Sequence, residues 1–439
     1  MHDARFPLSP SLLALSMCAA LTACGGEVDS SIEIDPADLA PPDEATFAGQ
    51  HPAARDAMPE PLARSRDSDG SDDPELQAFL AAAPGVLAWE PVRGDEAPDA
   101  ALSRIAASHD DAEAEFRYVG MVTARGHYLV EIEGAAMDDV LAHVEMIAEA
   151  GTTHPSGDAQ VPADYAAEDE FRGWSNGADS RQRKTGTNIP AMLGQVNFGC
   201  TGALIGRRLV RTAAHCIVGH TTNGNGSIPS SINFSYRRDA GTTPVSVWTN
   251  SFYYGGAYIP NDCAQSTTAD YSFGYRNNFD ACTWSDWAIL ILPSNWNGNV
   301  WHSWFGYKGL VGNDIDMELR NGGYPACERW NSATMQWEDY PEAPANCVDN
   351  AYYEDSSWPC EVSAWTNGTS KFRTGCDSSP GHSGGPVWQE NTAYLIGHVQ
   401  WQDCSTCPSG STNREAPNHI LGHDSWLFNF QNQLRSQFP

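Results

Sequence analysis

Positive charge is what this 439-residue sequence has least of: 25 Lys and Arg stand against 56 Asp and Glu, a formal charge of −31. A chain this acidic repels nucleic acid and anionic membrane surfaces, which argues against binding to either. Long apolar runs are also missing. The run from Leu12 to Leu21 falls short of the roughly 20 residues that cross a bilayer, so a multi-span helical membrane protein is excluded. With 41% hydrophobic residues the chain can bury a large core, and it is neither wholly disordered nor collagen-like. The acid excess is uneven. Residues 1–170 hold 8 Lys and Arg against 34 Asp and Glu, net −26, whereas residues 171–439 hold 17 against 22, net −5.

Arg5 followed by the Leu12–Leu21 run reads as a secretory signal over residues 1–24. Its end, Leu21-Thr22-Ala23-Cys24-Gly25, resembles the bacterial lipobox. That resemblance implies lipidation of Cys24, a lipid anchor and an outer-membrane or cell-surface precursor; an ordinary signal cleaved near Ala20 or Ala23 is the other reading. Both imply export from a bacterial cell. Residues 25–72 are rich in Asp, Glu, Pro and Ala and poor in aromatics, the composition of a disordered acidic tether. From residue 73 the pattern changes. Leu76, Phe79 and Leu80 have helical spacing, Phe116–Val119 and His127–Ile132 flank a turn at Ala124-Arg125-Gly126, and Val140, Leu141, Val144 and Ile147 predict a helix over 137–150. A small α+β module is expected within 73–170, and no catalytic constellation is visible in it.

Beyond residue 150 the chain turns to Gly, Trp, Tyr, Asn and short Val, Ile and Leu runs, which favours all-β architecture. Three segments there carry chemistry. Gly199-Cys200-Thr201-Gly202 precedes Thr212-Ala213-Ala214-His215-Cys216, then comes Ser285-Asp286-Trp287-Ala288-Ile289-Leu290, and last Cys376-Asp377-Ser378-Ser379-Pro380-Gly381-His382-Ser383-Gly384-Gly385-Pro386. A serine hydroxyl is a poor nucleophile until a base within hydrogen-bond reach takes its proton. Histidine does this near neutral pH, and a buried carboxylate fixes its tautomer.

The three segments resemble, in the same His, Asp, Ser order, the signatures of the trypsin/chymotrypsin superfamily of serine endopeptidases. The resemblance covers about residues 171–439. It implies His215 as general base and acid, Asp286 as its orienter, Ser383 as nucleophile, and the N–H groups of Gly381 and Ser383 as the oxyanion hole. It also implies a Cys200–Cys216 disulfide and hydrolysis of protein or peptide substrates with no cofactor and no metal. Apart from Cys18 and Cys24, ten cysteines remain, an even number in an oxidising compartment. Cys404-x-x-Cys407 has redox or metal spacing, but no second such pair accompanies it, and a structural disulfide is the expectation.

His382 stands where trypsin carries the acidic residue that captures a freed N-terminus. In this, and in Gly199–Gly202, the chain looks more like the bacterial V8-like glutamyl endopeptidase branch. Specificity signals point two ways. Asp377, six residues before Ser383, favours basic substrate residues, with Ser378, Val399, Trp401 and Gln402 as the other substrate-binding positions. Yet Gln402 replaces a mouth glycine, and His398 lies one residue after Gly397, on the opposite strand face from the histidine that glutamyl specificity usually involves. The balance leans to basic residues.

The expected organisation is a signal with lipobox (1–24), a tether (25–72), an α+β propeptide (73–170), a first β-barrel (171–305), and a second barrel with a C-terminal helix (306–439). The barrels are Greek keys of chymotrypsin type, and the helix fits His423–Phe438, with Trp426, Leu427, Phe430 and Leu434 as its apolar stripe. The acidic segment 25–170 is expected to inhibit or assist folding and to be removed near Arg172, Arg181, Arg183 and Lys184. Two rivals stay open. Gly381-x-Ser383-x-Gly385 also fits the nucleophile elbow of an exported esterase, with Asp403, His419 and His423 downstream, and a catalytically silent binding protein on a protease fold is the other.

Overall fold

Short apolar runs rich in β-branched and aromatic residues, set between Gly and Asn turns, form strands because such side chains pack well on a pleated surface. The computed structural model describes residues 70–83, 85–93, 101, 104–105, 116–133, 146–149, 151–153, 181–197, 199–217, 228–229, 231–240, 245–255, 286–296, 302–309, 317–331, 336–339, 344, 346–355, 360–365, 371–379, 381–390, 392–402, 418–423 and 425–439. The signal, Cys24, the tether up to residue 69, Arg172, Asp403, Cys263, Cys282, Cys404 and Cys407 lie outside the described residues.

Two ten-stranded sheets dominate. In the first, Leu193–Val196, Cys200–Gly206 and Leu209–Thr212 run antiparallel in sequence order. Ile232–Tyr236 and Val245–Thr249 extend it on one side, and Ala288–Ile291 and Phe252–Gly255 on the other. At the centre of the second, the hairpin of Pro386–Gln389 and Tyr394–Gln402 is flanked by Asn418–Gly422 and by Leu319–Gly323. Gln182–Lys184 forms an edge of that sheet against Tyr352–Asp355.

The terminal helix, Ser425–Gln437, buries Trp426, Leu427, Phe430 and Leu434, the stripe expected of it. Trp426 stacks on Phe430 at 5.1 Å, and Trp287 lies 5.6 Å from the same ring. This is the all-β, two-sheet architecture with a C-terminal helix that the sequence implies. Disulfides join Cys200 to Cys216, Cys327 to Cys347 and Cys360 to Cys376, bonds that persist in oxidising compartments. No helix among the described residues is long and apolar enough to cross a membrane.

The front of the chain carries both helix and strand, and its strands join the sheets of the rest of the chain. Its helix, Pro74–Ala82, is capped by buried Asp73, whose Oδ1 accepts the N–H groups of Glu75 and Leu76 at 3.0 and 3.2 Å. The expected hairpin is present as Phe116–Val122 and His127–Glu133. Its first strand, however, pairs with Phe252–Gly255, so that hairpin and first sheet are continuous. The helix predicted over 137–150 is corrected where it is described: Met146–Ala148 is a strand. Short apolar runs suit helix and strand alike, and here the open backbone edge of Gly306–Gly309 decides, pairing Tyr307 with Ala148 and Gly309 with Met146.

Candidate active site

His215 sits in the 3-10 turn Ala214–Cys216, directly after the Leu209–Thr212 strand. Asp286 opens the neighbouring Ala288–Ile291 strand. The pairing of these strands brings the two side chains together. Asp286 Oδ1 accepts the His215 backbone N–H at 3.0 Å, and ring Nδ1 lies 2.9 Å from Oδ2. Burial, the largest single influence on Asp286, pushes its carboxyl up, but the His215 charge, the His215 hydrogen bonds and His398 together hold it below the usual carboxylate range. An ionised carboxylate only accepts, so Nδ1 carries a proton in either charge state of the ring, and in the neutral ring it is Nε2 that holds the lone pair. The His215 side chain is 19% exposed and the Asp286 side chain 4%: the carboxylate is sheltered while the ring can be reached.

Ser383 lies in a tight loop before Pro386–Gln389. Gly381 (φ +93°) and Gly384 (φ +74°) take backbone conformations that favour glycine, and a Cβ on Gly384 would stand 2.1 Å from Thr212 Oγ1. Within the loop, N–H groups of His382, Gly384 and Gly385 donate to carbonyls of Ser379, Val399 and His382. Among the described residues, those of Gly381 and Ser383 donate to none. Two unengaged donors two residues apart suit a developing oxyanion. The Ser383 hydroxyl, on a partly exposed residue, makes no hydrogen bond to a described residue, leaving it free to turn toward an incoming group.

Thr201, absent from the sequence-based set, fastens this loop to the first sheet. Its N–H donates to the Ser383 carbonyl at 2.9 Å. Its buried hydroxyl donates to the Gly381 carbonyl at 2.8 Å and accepts the Tyr324 N–H at 2.9 Å. The Cys200–Cys216 disulfide then ties Thr201's neighbour to His215's neighbour, so backbone and covalent links connect the Ser383 loop to the histidine turn. The only signal in sequence was a threonine between Gly199-Cys200 and Gly202.

A second set of buried groups backs Asp286 from the other side. Arg211 Nε donates to His398 Nδ1 at 2.9 Å, so the His398 proton is on Nε2, which donates to the Asp286 carbonyl at 2.9 Å. Burial and then the Arg211 charge push His398 down to about 3, which keeps it neutral. His398 thus faces Asp286 and the first sheet. His382 is wholly buried as well; among the described residues neither ring nitrogen finds a partner. Burial, then the Arg181 charge, hold it well below its ordinary value.

The positions expected to bind substrate divide. Asp377 is partly exposed, its N–H donating to buried Asp355 and its carbonyl accepting from Asn321 Nδ2 at 2.9 Å. Ser378 is buried beside it. Val399 spends its N–H and carbonyl on Gly385 and Gly384 and its side chain on the second core, so it contributes by holding the Ser383 loop. Trp401 and Gln402 continue the strand against His419 and Asn418, and their side chains lie outside the described residues. Among the described residues the only close grouping of metal-ligand types is Cys200, His215 and Cys216. Its sulfurs form the disulfide and its Nδ1 faces Asp286, so it does not fit a metal.

No family model and no curated protein matches the chain. Three solved structures are similar to it over part of its length. A Glu endopeptidase is 17% identical, with 60% of this chain and 99% of that one covered and a TM-score of 0.40. Protease Anisep from Arthrobacter nicotinovorans is 12% identical over 58% of this chain and 98% of that one, TM-score 0.37. A thermostable serine protease from an extremophilic microorganism is 14% identical over 57% and 99%, TM-score 0.32.

Proposed function

We propose that the chain is an exported serine endopeptidase in which Ser383 attacks the scissile carbonyl, His215 moves the proton and Asp286 orients His215. The observation that carries this reading is the double acceptance of His215 by Asp286, which leaves Nε2 as the base beside a glycine-rich loop bearing a serine. In the acylation step Nε2 takes the Ser383 proton as Oγ bonds to the carbonyl carbon. The oxyanion is held by the N–H groups of Gly381 and Ser383, donors worth about 3–4 kcal/mol each in comparable sites. Collapse breaks the C–N bond, and His215 returns its proton to the leaving amine. Water then repeats the sequence on the acyl-enzyme, giving the acid and free Ser383.

Asp377 would supply a carboxylate for an Arg or Lys side chain of the substrate, and peptide-library profiling tests that preference. Export through the residue 1–24 signal, with Cys24 as a lipid anchor, is the localisation that the sequence supports, and the three disulfides among the described residues are consistent with export. The esterase alternative gains nothing from His423, which is buried with Nδ1 at 3.1 Å from the Ile396 carbonyl and so has no carboxylate on that nitrogen. A fluorophosphonate probe tests the proposal. One adduct, mapped to Ser383 and abolished in His215→Ala, is expected; folded protein that takes up no probe at Ser383 would overturn it.

A further inference from the structure

The front segment is joined to the rest of the molecule in a way that a detachable piece would not need. Across the shared sheet Val122 pairs with Phe252, Met121 with Tyr253, Gly120 with Tyr254 and Val119 with Gly255. The Tyr254 ring lies over Gly120, where a Cβ would come within 1.9 Å of it, and the Tyr254 hydroxyl meets His127 Nε2 at 2.6 Å. From the front helix, Phe79 stands 5.3 Å from Tyr253 and 6.0 Å from Phe430 of the terminal helix. Glu75 accepts a hydrogen bond from Ser251 at 3.0 Å.

These are interior contacts. Phe79, Tyr253 and Tyr254 are no more than 1% exposed and share one core with Phe252, Leu290 and Phe430. The front segment also grips the molecule a second time. Met146–Ala148 pairs with Gly306–Gly309, and Gly151–Thr153 with His302–Trp304. Between those strands Glu149 accepts from the Tyr394 hydroxyl at 2.9 Å and, through its carbonyl, from Arg435 at 2.7 Å. Separating residues 70–153 from 181–439 would expose an aromatic core and unpair three strand edges at once.

We propose that residues 70–153 are a permanent part of the folded protein, retained without a covalent link if the chain is cut between 154 and 180. The partner that fits the Phe252–Gly255 edge is thus the chain's own front hairpin. Release of the front segment, which the sequence reading expects, does not follow cleavage. The assembly has a bearing on the site, and that bearing alone rests on the proposed function. Phe252–Gly255 pairs on its other side with Ala288–Ile291, and Gly255 N–H donates to the Trp287 carbonyl at 2.9 Å, one residue from Asp286.

The test uses full-length Ser383→Ala protein, which removes self-digestion and separates this question from activity. A site-specific protease sequence is inserted between 154 and 180, the chain is cut, and the product is followed by native size-exclusion with mass detection. Both pieces are expected in one equimolar species that melts in one transition and separates only in denaturant. The same cut in Gly120→Leu, whose new side chain meets the Tyr254 ring, is expected to shift the front piece into its own peak. A separate native peak for the front piece in the parent overturns the proposal, whether or not the remainder stays folded.

Discussion

Removing the Thr201 hydroxyl would strand two groups, the Gly381 carbonyl and the Tyr324 N–H. A buried group left without its partner costs about 1–3 kcal/mol. Thr201→Val should therefore lose roughly 2 kcal/mol or more in urea unfolding, and Thr201→Ser, which keeps the oxygen, less than about 1 kcal/mol. Equal losses would mean that packing, and not the hydroxyl, holds the loop. His398 makes a pH prediction. Its imidazole titrates near about 6.5 when unfolded and near about 3 when folded, so between those values the unfolded chain binds the extra proton. Its contribution is whole above about 6.5 and drains away as pH falls toward about 3, by up to roughly 1.4 kcal/mol per unit. His398→Gln can keep the bonds to Arg211 and the Asp286 carbonyl without titrating. Urea unfolding between about pH 4 and 6.5 should give it a slope shallower by about one proton, and an unchanged slope would count against this role. His215, Asp286 and Ser383 were recognisable as candidates because each has telling immediate neighbours. Thr201 and His398 were not, since their partners lie 180 and 187 residues away in the chain.

Among elements, the Ser383 loop leaves little room for change. Gly384→Ala combines a φ of +74° with a Cβ 2.1 Å from Thr212 Oγ1, a conformation that costs about 1–3 kcal/mol before the clash is counted. Gly199→Ala meets only the Asn197 carbonyl, at 4.0 Å, and should be near neutral. Thermal unfolding of the pair should separate them by several degrees; indistinguishable midpoints would mean that the loop is softer than its contacts imply. The front hairpin was readable because its turn chemistry and strand runs are local, and so was the terminal helix with its single apolar stripe. Met146–Ala148 was not, because a three-residue apolar run takes its conformation from the edge it meets, and that edge, Gly306–Gly309, is supplied from far along the sequence.

At the scale of the molecule, the change in acidity near residue 170 is a boundary of composition and not of fold. Strands before it complete both large sheets, and one buried front acid, Asp73, is taken up by its own helix, Thr123 and Tyr128. The proposed site draws on both sheets: the first and its adjoining turns carry His215, Asp286 and the Thr201 anchor, and the loop before Pro386–Gln389 of the second carries Ser383. Hydrolysis of a mixed peptide library by the purified chain, beside Ser383→Ala and Asp286→Asn, tests this arrangement most directly. The parent should turn peptides over, Ser383→Ala should fall to background, and Asp286→Asn, which leaves the ring without its orienting charge, should lose roughly 10⁴-fold in kcat. Hydrolysis by Ser383→Ala at the parent's rate would contradict the account.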